Sequence, residues 1–123
     1  MTKIIFEFEN ISVEAELNDS PTSKDLINLL PLEGISQIWG EEIYFSTSIN
    51  RENDDWAKET VELGDIAFWP PGNAICLFFG KTPVSQGDEI RPASPTNVMG
   101  KIIGDLEILK TVNSGDKVKV IVA

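Results

Sequence analysis

Histidine is absent from this chain of 123 residues, cysteine occurs once and arginine twice. Without histidine, neither a Ser-His-Asp nor a Cys-His relay can be assembled, so acyl-transfer chemistry of those types is excluded. The lone Cys76 lies in the apolar run Ala74-Ile75-Cys76-Leu77-Phe78-Phe79, which leaves no partner for an internal disulfide and no thiolate cluster for a metal. Lysine and arginine together number 10 against 20 acidic residues, a net charge of −10 spread along the whole chain. A surface of that sign repels phosphate backbones and anionic lipid, so nucleic acid and membrane surfaces are not expected as partners. No apolar run approaches the ~20 residues of a membrane span, and Glu7 interrupts the only apolar stretch near the start. These absences lead to the expectation of one domain, soluble and unprocessed, in a reducing cytoplasm.

What the chain does contain is a two-residue rhythm of apolar and polar positions, broken by turn residues, which predicts a mainly β domain. Ile4, Phe6 and Phe8 share one side of a first strand. After Asn10, the residues Ile11, Val13, Ala15 and Leu17 alternate with Ser12, Glu14 and Glu16, so the two runs are expected to pair as a hairpin with one wet face. Helical spacing occurs once. Leu26, Ile27, Leu29 and Leu30 predict a short helix over about residues 23–30, opened by a capping box of Thr22 with Asp25 and closed by Pro31. Such a helix would plug an open end of a barrel.

Further strands are expected over 35–39, 42–46, 66–69, 74–79, 97–103, 106–112 and 117–122. In Trp69-Pro70-Pro71-Gly72-Asn73, Pro71 and Gly72 suit the central positions of a type II turn. Residues 47–62 read as a polar surface loop with a turn of helix near Trp56-Ala57-Lys58. Lys81 to Thr96 carries Pro83, Gly87, Pro92 and Pro95, too broken for a strand and long enough to be a functional loop.

The strings GDIAFWPPGNAICLFFGKTP and IRPASPTNVMGKI resemble those of small prokaryotic cyclophilin-like domains of undefined function, and Phe78-Phe79 leading to Val98-Met99-Gly100-Lys101-Ile102 is similar to the cyclophilin pattern more widely. The resemblance is clearest over residues 64–110. It implies a closed cyclophilin-like barrel of eight strands with a helix at its mouth. In cyclophilins of the prolyl isomerase class, an apolar pocket holds the substrate proline and an arginine polarises its imide. Here Glu42-Ile43-Tyr44-Phe45-Ser46-Thr47 stands roughly where that class carries its arginine and histidine, and contains neither.

The pocket is the part that survives. An apolar groove for a small ligand or an extended peptide is expected from Tyr44, Phe45, Trp69, Phe78 and Phe79, with Arg91, Ser94 and Asn97 at its rim. Arg91 is fixed between Ile90 and Pro92, where a guanidinium would either meet a ligand carbonyl or tie the loop to an acid; Arg51 reads as a solvated charge beside Glu52 and Asp54. Asp54-Asp55, Glu41-Glu42 and Asp88-Glu89 fall in expected turns and are assigned no metal. No catalytic residue and no cofactor is assigned. Two alternatives stand beside ligand binding. One is a weak prolyl isomerase relying on the pocket alone or on Arg91. The other is a non-enzymatic interaction module using Trp69-Pro70-Pro71 and the proline-rich loop to hold a partner or a second copy.

Overall fold

The alternation at the start of the chain folds as a hairpin. In the computed structural model, which describes residues 2–123, β1 (Thr2–Glu7) and β2 (Ser12–Leu17) pair antiparallel with Ile4 opposite Ala15 and Phe6 opposite Val13. Those four side chains and Leu17 are buried, whereas Ser12 and Glu14 face out. The period of two therefore decides which face meets the core.

The helix α1 spans Pro21–Leu29 and starts earlier than expected. Its cap is Ser20, whose Oγ accepts from the Ser23 amide at 3.2 Å, and Pro21 occupies the first turn, where its fixed φ suits a helix and its missing N–H costs nothing. The anticipated Thr22–Asp25 capping box does not form. Thr22 Oγ1 donates to Asp54 Oδ2 at 2.9 Å, and Asp25 pairs with Arg51 at 2.7 Å, so both serve the 47–62 loop. Leu26 is the fully buried apolar residue of this helix, packed within the main core.

The remaining strands are β3 (Leu32–Ile35), β4 (Gln37–Trp39), β5 (Glu42–Ser46), β6 (Ala57–Lys58), β7 (Asp65–Trp69), β8 (Ala74–Phe78), β9 (Thr96–Ile103) and β10 (Lys117–Val122). They form one sheet in the order β3-β10-β1-β2-β9-β7-β8-β5-β4, with β6 pairing β9 off this path. Ten strands replace the eight anticipated, and a specific break accounts for one of the two additional strands. Residues 32–39 are interrupted at Ser36, whose N–H donates to Asp116 O and whose carbonyl accepts from Gly115, both at 2.8 Å. The part before the break pairs with β10 and the part after it with β5, so one bent segment joins the two ends of the sheet and nearly closes the barrel. The β6 strand is two residues long and stands where a turn of helix was expected.

Two other local expectations fail for identifiable reasons. Leu106 to Val112 is not a strand: Glu107–Thr111 forms a 3-10 helix, with Leu109 and Val112 in the core and Leu106 packed against it. Apolar residues at 106, 109 and 112 recur every third position, which is the 3-10 period. Pro70–Gly72 likewise forms a 3-10 turn rather than a type II turn, and the positive φ falls on Asn73, at 48°. Gly72 is needed for another purpose, since a Cβ there would stand 2.7 Å from the Trp69 ring.

The barrel interior is filled by Ile4 and Phe6 of β1, Phe45 of β5, Phe68 of β7, Leu77 of β8 and Val120 of β10, together with their neighbours. A second, smaller cluster of Val61, Ala67, Cys76, Phe78 and Ile90 lies apart from it. Cross-strand register separates the two: Ala67 pairs with Cys76, and Cys76 with Tyr44, on one face, while Phe68 pairs with Ile75, and Ile75 with Phe45, on the other. The loops 47–62 and 80–95, joined by the bridge Val61–Ile90, contribute Val61 and Ile90 to the smaller cluster. Every residue of β8 is consequently buried.

Candidate functional site

The outer face of β5, β7 and β8 carries a pocket of about 210 Å3. Its floor and one wall come from the β4–β5 hairpin. A two-residue turn, Gly40-Glu41, joins these strands, and Gly40 adopts φ 60°, as a II′ turn requires at its first central position. That turn sets Trp39 directly opposite Glu42, and Tyr44 follows two residues on, so all three point to the same face. Across the sheet, Cys76 and Trp69 complete the floor, and Pro92, Ala93 and Thr96 close the other side.

Trp69 is both packed and available. Its indole N–H donates to Ser94 Oγ at 2.7 Å, which fixes the ring against the proline-rich loop while it continues to line the pocket. The loop is itself braced: Ser85 Oγ accepts from the Thr82 and Arg91 amides, each at 3.0 Å, and the Thr82 hydroxyl donates to the Arg91 carbonyl. A floor of strands and a wall of pinned loop make a pre-formed cavity.

Polar chemistry in the pocket is sparse and unsatisfied. Among the described residues, three buried side-chain atoms lack a hydrogen-bond partner: Ser36 Oγ, Glu42 Oε1 and Thr96 Oγ1. Two of these three belong to residues lining this one pocket. Glu42 is only 5 % exposed. Burial pushes its carboxyl up from 4.5 to about 7, with the neighbouring Cys76 thiol pulling slightly the other way. The same burial, reinforced by Glu42, holds the Cys76 thiol well above its ordinary value and so keeps it protonated. Glu42 is the sole charged residue among those lining the pocket.

The residues expected at this site separate by parity. Tyr44 and Trp69 line the pocket and Ser94 anchors Trp69. Phe45 points into the barrel, its ring edge-on to Phe6 at 6.3 Å and 69°. Phe78 and Phe79 are consecutive and therefore diverge, the first into the smaller cluster and the second into the main core. Arg91 pairs with Glu89, Nε to Oε2 at 2.6 Å and Nη2 to Oε1 at 3.2 Å, beside a separate hollow of about 320 Å3 that adjoins the pocket through Pro92 and Ala93.

Asn97 stands opposite Phe68, on the inner side of β9, and its amide is a buried structural hub. Its Oδ1 accepts from the Asp54 amide at 3.0 Å and from Asn53 Nδ2 at 3.2 Å, while its Nδ2 donates to Glu52 O at 3.0 Å and Thr22 Oγ1 at 3.3 Å. Asn97→Ala would orphan several of these groups, and we expect a loss of about 1–3 kcal/mol in denaturant unfolding, with faster amide exchange in the 47–62 loop. The pocket residue on β9 is its neighbour Thr96. The sequence assigns Thr96 no role and weighs Glu42 only as half of the Glu41-Glu42 pair expected in a turn, whereas Glu42 opens β5. The available signal was phase, because Glu42 alternates with Tyr44 on a strand whose two faces are both covered.

Among the described residues no group of acidic or cysteine side chains is placed to hold a metal ion, and no helix is long and apolar enough to cross a membrane. A search of the curated proteins finds no match. Among solved structures, the chain is similar to the solution structure of the hypothetical protein AF2241 from Archaeoglobus fulgidus, with 44% sequence identity, a TM-score of 0.84, and coverage of 99% of this chain and 95% of that one. The model of the Cyclophilin-like family matches residues 2–121. With nearly the whole length matched and the barrel present, this chain belongs to the cyclophilin-like family.

Proposed function

We propose that this protein binds a small molecule in the outer-face pocket between Trp39, Tyr44 and Trp69. The observation that carries the reading is that Glu42 and Thr96, two of the residues lining one largely apolar cavity, each carry a buried polar atom without a hydrogen-bond partner. An orphaned buried polar group costs free energy unless something else satisfies it, and a ligand with matching groups supplies that partner. The size favours a compact occupant: drug-sized ligands take cavities of about 300–1,000 Å3, and this one holds about 210 Å3. An arginine-assisted prolyl isomerase fits less well, because the Arg91 guanidinium is engaged by Glu89 beside the adjoining hollow.

An amide NMR titration with small neutral probes such as indole and cyclohexanol tests this. Shifts are expected to cluster at Tyr44, Trp69, Cys76 and Thr96, and Ala93→Trp, which fills the cavity from its exposed wall, is expected to abolish them. Shifts scattered over the surface, or unchanged in Ala93→Trp, would overturn the assignment. A parallel titration with an Ala-Pro peptide, recording its cis–trans exchange, distinguishes binding from isomerisation.

A further inference from the structure

The pocket's chemistry also points to a class of ligand, an inference that rests on the binding reading above. A carboxyl that is 5 % exposed, with one oxygen unpartnered, lies in a cavity lined by two tryptophans and a tyrosine. Taking a carboxylate out of water is costly unless an opposite charge or several hydrogen-bond donors meet it. No lysine or arginine lines the cavity to do so. The second unpartnered atom, Thr96 Oγ1, can accept as well as donate. Two acceptors among aromatic faces match the needs of an ammonium group, which carries only donors and is attracted to the faces of tryptophan and tyrosine. The net charge of −10 adds a long-range field that concentrates cations near the surface.

We propose that the pocket takes a small amine with an apolar body, its ammonium held by the Glu42 carboxyl and the Thr96 hydroxyl and its body resting among Trp39, Tyr44 and Trp69. Binding is then coupled to pH. The cation requires ionised Glu42, so below neutrality it must displace a proton from that carboxyl, and affinity rises with pH through about 7 before levelling off. The titratable groups beside Glu42 are the Cys76 thiol from β8 and the Tyr44 phenol from its own strand; Arg91 and Glu59 face the adjoining hollow. The thiol stays neutral over this range.

The test compares benzylamine with benzyl alcohol, which has nearly the same shape and no charge, by NMR and tryptophan fluorescence between pH 5.5 and 8.5. At the alkaline end benzylamine is expected to bind at least about tenfold more tightly than the alcohol, as a charge-assisted hydrogen bond in a largely apolar site allows. That advantage is expected to shrink toward pH 5.5, and to vanish in Glu42→Gln at every pH. Thr96→Val, a shape-conserving change, is expected to weaken benzylamine severalfold and keep the pH profile. Equal affinity of the two probes, with the pocket amides shifting, would overturn the amine while leaving the pocket standing. Affinity rising toward acid pH would also overturn it, by showing protonated Glu42 donating to a neutral acceptor. No shift at the pocket amides with either probe would remove both the amine and the pocket reading.

Discussion

Phe45→Ala is expected to destabilise the protein by about 3–5 kcal/mol, the usual cost of deleting a fully buried aromatic ring. Phe45 is 0 % exposed, packs edge-on to Phe6 and faces Gly34 closely enough that a Cβ at that glycine would come within 2.9 Å of the ring. The ring therefore fills the gap between β3 and β5, near the bend by which residues 32–39 join the sheet's two ends. Removing it leaves a void that the curved sheet cannot collapse to fill, so cavity cost adds to lost burial. Denaturant unfolding at fixed pH measures the effect, and a domain of this size carries only about 5–15 kcal/mol in total. A loss below about 1 kcal/mol would mean that Phe45 lies in a groove rather than in the core. The same substitution at Tyr44, which is half-buried and lines the pocket, is expected to cost distinctly less.

The second large effect concerns pH. Below about 4.5, Glu42 carries its proton in both folded and unfolded chains, and above about 7 it has lost the proton in both. Between those values only the folded chain holds it, so raising the pH favours unfolding across this window. At about 1.36 kcal/mol per pH unit, the interval corresponds to roughly 3 kcal/mol of stability present at acid pH and lost by neutrality. Asp65, also raised by burial, acts in the same direction. Comparing the native chain with Glu42→Gln isolates the Glu42 contribution: the native curve should fall more steeply between pH 4.5 and 7.5, with the variant the more stable at the alkaline end. Parallel curves would show that the Glu42 carboxyl is solvated. A bound cation should flatten the native curve too, because it stabilises the ionised form.

Much of the architecture is legible in residue type and spacing. The β1–β2 hairpin follows from Ile4, Phe6, Val13 and Ala15 keeping one parity, and the helix follows from apolar residues at helical spacing ahead of Pro31. Strand alternation states which residues share a face, though not which face is which when both are covered. That ambiguity is why Phe45, Phe78 and Phe79 read as one aromatic wall, and why the pattern alone assigns Asn97 to the rim in place of Thr96. In β8 every position is buried, so polarity carries no directional signal there.

Composition and local pattern by themselves determined a mainly β chain of acidic character, without histidine relays, with a short helix and a proline-rich loop, because these depend on residue type and near-neighbour spacing. Tertiary structure alone decided where the chemistry lies. Register across β5, β8, β7 and β9 brings Glu42, Tyr44, Cys76, Trp69 and Thr96 to one face from positions up to 54 residues apart, and the folded-over loop then walls one side of the pocket they line. A glutamate beside a glycine turn reads as a surface charge in one dimension. It becomes a buried acid with an unpartnered oxygen only when a strand, a loop and three aromatic rings surround it, since desolvation depends on everything nearby in space.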